Sequence, residues 1–191
     1  MAHKFPIAMK AELDSPQRKK LLNPVKTLRA LGIRAGMIVA DVGCGTGFFT
    51  IPLAAVVGPR GRVLAADISR EMIRDVGKRI EKAGLKNIKT VLSRENKIPV
   101  TSKRIDYCLL SSVVHELENK ALFFKELKRL LKKDGKVGII EWKKVPSPLG
   151  PPLRERISPV AMRQILAENG FAVEKTFRPG KYNYGIVAIR V

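Results

Sequence analysis

Val39-Ala40-Asp41-Val42-Gly43-Cys44-Gly45-Thr46-Gly47-Phe48-Phe49-Thr50 runs from an apolar strand through an acid and three alternating glycines into an apolar helix start. Glycines at 43, 45 and 47 let the backbone turn tightly and approach a ligand closely, because no Cβ stands in the way. The turn leads to the first turn of the next helix, where backbone N–H groups lack intrahelical partners. A strand–turn–helix of this kind is where an open α/β sheet binds a nucleotide, outside the carboxyl ends of its strands.

Spacing narrows the choice of nucleotide. Counted from Gly43, the dinucleotide fingerprint G-x-G-x-x-G/A needs a small residue at position 48, where Phe48 stands. No Gly-Lys-Ser/Thr follows, so a P-loop is excluded. The segment resembles the first motif of class I S-adenosylmethionine-dependent methyltransferases, D-x-G-x-G-x-G, as Asp41, Gly43, Gly45 and Gly47. That resemblance implies a nucleoside carrying an amino-acid tail and no phosphate. The plainer reading is a glycine turn that only connects a strand to a helix.

Arg62-Val63-Leu64-Ala65-Ala66-Asp67 reads as a second buried strand ending in a carboxylate. Asp67 lies about 20 residues beyond the last glycine, where a ribose-binding acid belongs in nucleotide-binding βαβ units. A carboxylate accepts two ribose hydroxyls at once, and its charge strengthens both bonds. Alternatively Asp67, with Ser69, caps the following helix. If the acid is mainly functional, its removal should leave the ligand-free protein's stability little changed.

Length and composition suit one compact enzyme. A chain of 191 residues can bury about 70 % of its unfolded surface. No apolar run reaches 18 residues, so no membrane span is expected, and Met1 to Pro6 lacks the apolar region of a secretory signal. Cys44 and Cys108 show no metal-ligand spacing; neither a metal nor a disulfide is expected, and a reducing cytoplasm is the default.

The net charge of +20 raises nucleic acid or another polyanion as a partner. Basic residues recur at Arg18-Lys19-Lys20, Lys128-Arg129, Lys132-Lys133, Lys143-Lys144 and Arg154/Arg156. Against this, Lys125, Lys128, Arg129, Lys132 and Lys133 fit the solvated face of one helix. With aromatics at 6 %, few side chains can stack on unpaired bases. Nucleic-acid binding is therefore possible but not favoured.

Pattern and punctuation predict strands near 37–42, 62–67, 88–92, 104–111, 136–142, 171–177 and 183–190. Helices fit 24–32, 47–57, 69–83, 117–133 and 158–169, and Val145 to Pro152 reads as a proline-rich loop. Residues 1–23 read as a polar arm that could cover the site, and 24–191 as a single domain. Alternating β and α elements imply a parallel sheet with helices on both faces.

Further segments extend the resemblance over most of the chain. Val91 to Pro99 resembles the third-strand ending that holds adenine, with Arg94 where the family usually has Asp, so that Glu95 or a backbone carbonyl must accept instead. Ile105 to Leu117 resembles the fourth strand and following helix start, and Lys132 to Trp142 the fifth strand and its approach. The chain is most similar to methyltransferases of ubiquinone and menaquinone biosynthesis. The fold implied is α/β, a doubly wound seven-stranded and mostly parallel sheet of the Rossmann-like methyltransferase type. Its last strand is antiparallel and lies between the fifth and sixth.

The candidate cofactor-binding residues are Asp41, Gly43, Cys44, Gly45, Gly47, Asp67, Ile68, Met72, Arg94, Glu95 and Ser111, with S-adenosylmethionine as cofactor and S-adenosylhomocysteine as product. His115 is the candidate catalytic base, since an oxygen or carbon nucleophile must lose a proton; otherwise it is an ordinary helix-start residue. His3 is the other histidine, and Trp142, Tyr182 and Tyr184 are candidate pocket aromatics. Two alternatives stand beside a small-molecule enzyme: an RNA methyltransferase using the basic surface, and a non-catalytic nucleotide-binding module. No proline-containing base-methylation loop follows the fourth strand, and Cys108 follows Tyr107 rather than proline, so both familiar base-methylation chemistries are disfavoured.

Overall fold

The computed structural model of the protein describes residues 7–191, with side chains from residue 10 onward. His3 lies outside the described residues. Seven strands form one sheet: β1 Ile38–Val42, β2 Arg62–Asp67, β3 Ile88–Leu92, β4 Ile105–Ser111, β5 Leu131–Trp142, β6 Phe171–Phe177 and β7 Asn183–Arg190. Their order is β3-β2-β1-β4-β5-β7-β6, and only β7 runs antiparallel to its neighbours. The doubly wound, mostly parallel architecture is the one expected.

Six α-helices connect or flank the strands: α1 Pro16–Leu21, α2 Pro24–Ala30, α3 Thr50–Val57, α4 Arg70–Lys82, α5 Lys120–Leu130 and α6 Pro159–Glu168. Strand alternation sends neighbouring side chains to opposite faces. Ala40, Val42, Cys108 and Leu110 pack with Phe124 and Leu127 of α5 and Met162 and Leu166 of α6. Val39, Val63 and Leu109 pack on the other face with Leu28 of α2 and Leu53 and Val57 of α3. No helix among the described residues is long and apolar enough to cross a membrane.

Several boundaries differ from expectation for local reasons. The helix expected at 47–57 starts only at Thr50, because Gly47 has φ +88 and cannot be helical. The helix expected at 117–133 is shorter at both ends. Asn119 caps it by accepting from Leu122 N, while Leu131 is already extended and pairs with Ile105. Lys132 and Lys133 therefore belong to β5 rather than to a solvated helix face. The expected arm is structured where it is described: Ile7–Asp14 forms a 3-10 helix, Ser15 caps α1, and Leu22 is buried.

Candidate functional site

The strand order reverses between β1 and β4, and a cleft of about 810 Å³ opens beyond the carboxyl ends of the strands there. Asp41, Gly43, Cys44, Gly45, Asp67, Ile68, Met72, Arg94, Glu95, Ser111 and His115 all line it. Gly47 does not. It packs beneath, where an added Cβ would lie 2.6 Å from Val76 Cγ2, so its role is to close the turn onto α4.

Four N–H groups of the glycine turn are engaged within the protein. Gly43 N and Cys44 N both donate to Ala66 O, Gly45 N donates to Asp67 Oδ2 at 2.9 Å, and Gly47 N donates to Cys44 O. Gly43, at φ +71, carries no side chain on the cleft wall, and Val113 Cγ2 lies 2.5 Å from where its Cβ would stand.

Asp67 is 8 % exposed and also accepts from Ser69 N through Oδ1 at 2.8 Å. Ser69, not Asp67, caps α4, its hydroxyl accepting from Met72 N. Burial raises the Asp67 pKa, against hydrogen bonds from the Ser69, Gly45 and Ile68 backbones. Each Asp67 oxygen holds a second lone pair, so the carboxylate can accept two further donors. Beside it Ile68 is 44 % exposed, an apolar side chain left facing the cleft.

Asp41 is fully enclosed and accepts from the Thr50 hydroxyl at 2.6 Å. Burial pushes its pKa up to about 6; Thr50 and Arg18 oppose that rise and Asp67 adds to it. Glu95 accepts through Oε1 from the Glu118 and Asn119 N–H groups, and Arg94 is exposed with its backbone paired to Lys97. The Ser111 and Thr46 hydroxyl oxygens line the cleft, buried and without a hydrogen-bond partner among the described residues.

His115 sits in a 3-10 turn, Val114–Glu116, that crosses the strand ends after Ser112, a non-glycine residue at φ +58. Its side chain is 5 % exposed, and Nδ1 lies 2.9 Å from Glu141 Oε2. Glu141, 1 % exposed near the end of β5, also accepts from Val114 N at 3.0 Å. Burial disfavours an imidazolium here, but Glu141, with Glu116 and Glu155 adding, outweighs it and raises the His115 pKa.

Sequence reasoning missed Glu141, Thr46, Glu155 and Arg18. Glu141 left a trace, an acid inside the apolar run Ile139-Ile140-Glu141-Trp142. Arg18 left none. It reaches the cleft from α1, stacks over Phe48 at 4.4 Å and donates to Leu13 O. Burial brings its pKa down to about 10, against Asp14 and Asp41. Trp142 lines the cleft; Tyr184 instead donates to Ile157 O, and Tyr182 stands away from the cleft lining. Arg156, grouped by sequence with the surface cations, is 6 % exposed. It donates to the Pro151, Lys143, Val145 and Leu149 carbonyls, folding the proline-rich loop over Trp142.

The cleft's charge opposes that of the protein. Glu12, Asp41, Asp67, Glu71, Glu95, Glu116 and Glu155 line it against Arg18, Arg70 and Arg94, in a chain with 37 basic and 17 acidic residues. Cys108 is buried in β4 away from the cleft lining, and burial pushes its thiol pKa far up, which removes it as a nucleophile.

Residues 33–169 match a family described as a methyltransferase domain. A crystal structure of an S-adenosylmethionine-dependent methyltransferase from Aquifex aeolicus superposes with a TM-score of 0.95 at 37 % identity, covering 98 % of this chain and all of that one. Demethylmenaquinone methyltransferases from Lactobacillus johnsonii and Staphylococcus aureus are each 33 % identical, over 125 and 116 residues. These matches cover 65 % and 61 % of this chain but 51 % and 47 % of those proteins, so the chain spans about half the length of the curated relatives it matches.

Proposed function

The chain belongs to the methyltransferase-domain family, and from that premise we propose that it is an S-adenosylmethionine-dependent methyltransferase acting on a small, largely apolar acceptor. The observation that carries this reading is the committed set of N–H groups in the glycine turn. A phosphate needs free donors and meets instead a closed turn ringed by carboxylates. A nucleoside with a cationic tail needs an acceptor for its ribose and negative surroundings, and Asp67 and the carboxylates around it offer both.

The roles follow from position. Asp67 accepts the ribose hydroxyls, Ile68 lies against the base, and the backbone of Gly43 and Gly45 walls the cleft beside the tail. Arg18 faces its carboxylate, while Ser111 and Thr46 have hydroxyls to spare. The bound sulfonium supplies an already activated methyl group. The protein must then hold a nucleophile in line and take its proton. Glu141 holds the proton of neutral His115 on Nδ1, which leaves Nε2 as the acceptor. Trp142, Phe123, Leu149 and Pro151 give the acceptor an apolar seat.

The carboxylates around the cleft disfavour a polyphosphate backbone there, which weakens the RNA alternative. A cytoplasmic location is part of the same proposal and rests on the two free, buried thiols. The relatives' name nominates a reduced naphthoquinone as the first acceptor to assay.

Calorimetry tests the cofactor directly. S-adenosylmethionine and S-adenosylhomocysteine should each bind at one site with micromolar dissociation constants, about 8 kcal/mol. NADH and ATP should not compete with S-adenosylmethionine for this cleft. Preferential binding of NADH would overturn the reading.

The pH dependence has a defined sign. His115 acts only when neutral, so turnover should rise with pH through a value above the ordinary imidazole 6.5. The raised pKa gives the opposite trend in stability: the Glu141 ion pair contributes fully below 6.5 and is lost as pH passes the raised value. Asp41, raised to about 6, also costs stability as pH rises from the ordinary carboxylate range through that value. Parallel profiles of turnover and melting temperature should therefore diverge, and turnover that falls over this range would rule out His115 as the base.

A further inference from the structure

At the opposite end of the sheet, where strands begin, a second concavity of about 780 Å³ lies between the turn after α2 and the starts of β4 and β5. Arg29, Arg34, Lys133 and Lys175 line it, and none has a hydrogen bond or ion pair through its side chain among the described residues. Two more cations there are already neutralised: Lys132 by Asp106 at 2.6 Å and Lys136 by Glu174 at 2.7 Å. Asp134 is the remaining carboxylate. The four unpaired cations come from three separate parts of the fold and line one concavity. Lys175 Nζ reaches from β6 to within 3.9 Å of a Cβ built on Gly32, beyond the end of α2.

From this placement we infer that the concavity is an anion site for a row of phosphate groups, separate from the methyl-transfer cleft. Like charges held on a concave wall focus the potential, and the protein supplies one carboxylate against four cations. The negative end of α2 favours Arg29 but does nothing for Lys133 or Lys175. Arg29 and Arg34 can fork onto phosphate oxygens, while the two lysines act as point charges. A single phosphate would engage only part of such a wall. The concave shape suits a short run of phosphates rather than a planar lipid surface. The same chemistry comes from two sources, a free oligophosphate such as a nucleotide's triphosphate or the backbone of single-stranded RNA. The charge surplus that the cleft cannot use thus has a place at the other end of the sheet.

The test titrates the full chain with sodium tripolyphosphate, ATP and a 12-nucleotide RNA lacking a terminal phosphate, at 150 mM salt. The expected result is saturable one-to-one binding in at least one arm, and the tighter arm identifies the source. Arg34→Glu with Lys175→Glu should weaken that binding at least tenfold. Lys86→Glu with Lys125→Glu, an equal charge change elsewhere, should weaken it less than threefold. Both positions in the first pair are exposed, and unchanged S-adenosylmethionine binding by each double variant checks that the fold is kept. Should the double reversal fail to fold, Arg34→Gln with Lys175→Gln serves, with a loss of at least threefold. The absence of binding in every arm, or equal losses in the two double variants, overturns the assignment.

Discussion

Replacing His115 by alanine should lower turnover by about 10²–10⁴-fold, the range for loss of a positioned general base. Affinity for S-adenosylmethionine should stay within a few-fold, because the turn and Asp67 do not depend on the imidazole. Glu141→Gln is the sharper companion. Glu141 acts through His115, so its amide should lower turnover less and move the pH profile toward lower pH, since the charge that raises the His115 pKa is gone. A merely structural Glu141 would reduce the amount of folded enzyme and leave the profile where it was. Unchanged turnover in His115→Ala would show that the acceptor needs no base.

Replacing Asp67 by alanine should weaken S-adenosylmethionine binding by about 1.5–3 kcal/mol, for two charge-assisted ribose hydrogen bonds lost. The structure adds a second cost that the sequence did not indicate. Gly45 N and Ser69 N lose their acceptor, which costs about 1–3 kcal/mol of stability. Relief of a buried carboxylate beside Asp41 offsets part of this, so the net loss belongs near the lower end. Calorimetry and the ligand-free melting temperature read the two effects separately. A melting loss with unchanged affinity would leave Asp67 as only the brace of the glycine turn.

β1 and β2 were legible because each is an apolar run that meets an acid or a glycine at its end, and both end at the residues expected. Helix ends were less legible. Asn119 could be recognised as a cap only once Leu117 was seen to close a separate 3-10 turn. Leu131 is apolar enough to continue α5, yet pairing with Ile105 draws it into β5. The candidate site was legible along single segments and illegible between them. Gly45 and Asp67 were each found from local pattern, but the hydrogen bond between them spans 22 residues. Arg156 read as a surface cation until four carbonyls and Trp142 were found around it.

By itself the sequence determined the alternation of strands and helices, the glycine turn and the acid that follows it, because backbone freedom and hydrophobic period are local properties. Tertiary structure decided what those residues can do. It engaged the Gly43, Cys44, Gly45 and Gly47 N–H groups with Ala66, Asp67 and Cys44, which leaves those four with no hydrogen to offer a phosphate. It also brought Glu141 of β5 to His115 beyond β4, and gathered acids from six segments into one cleft on a basic protein. Charge and proton affinity depend on distance through space, and residues far apart along the chain acquire that distance only when the sheet assembles.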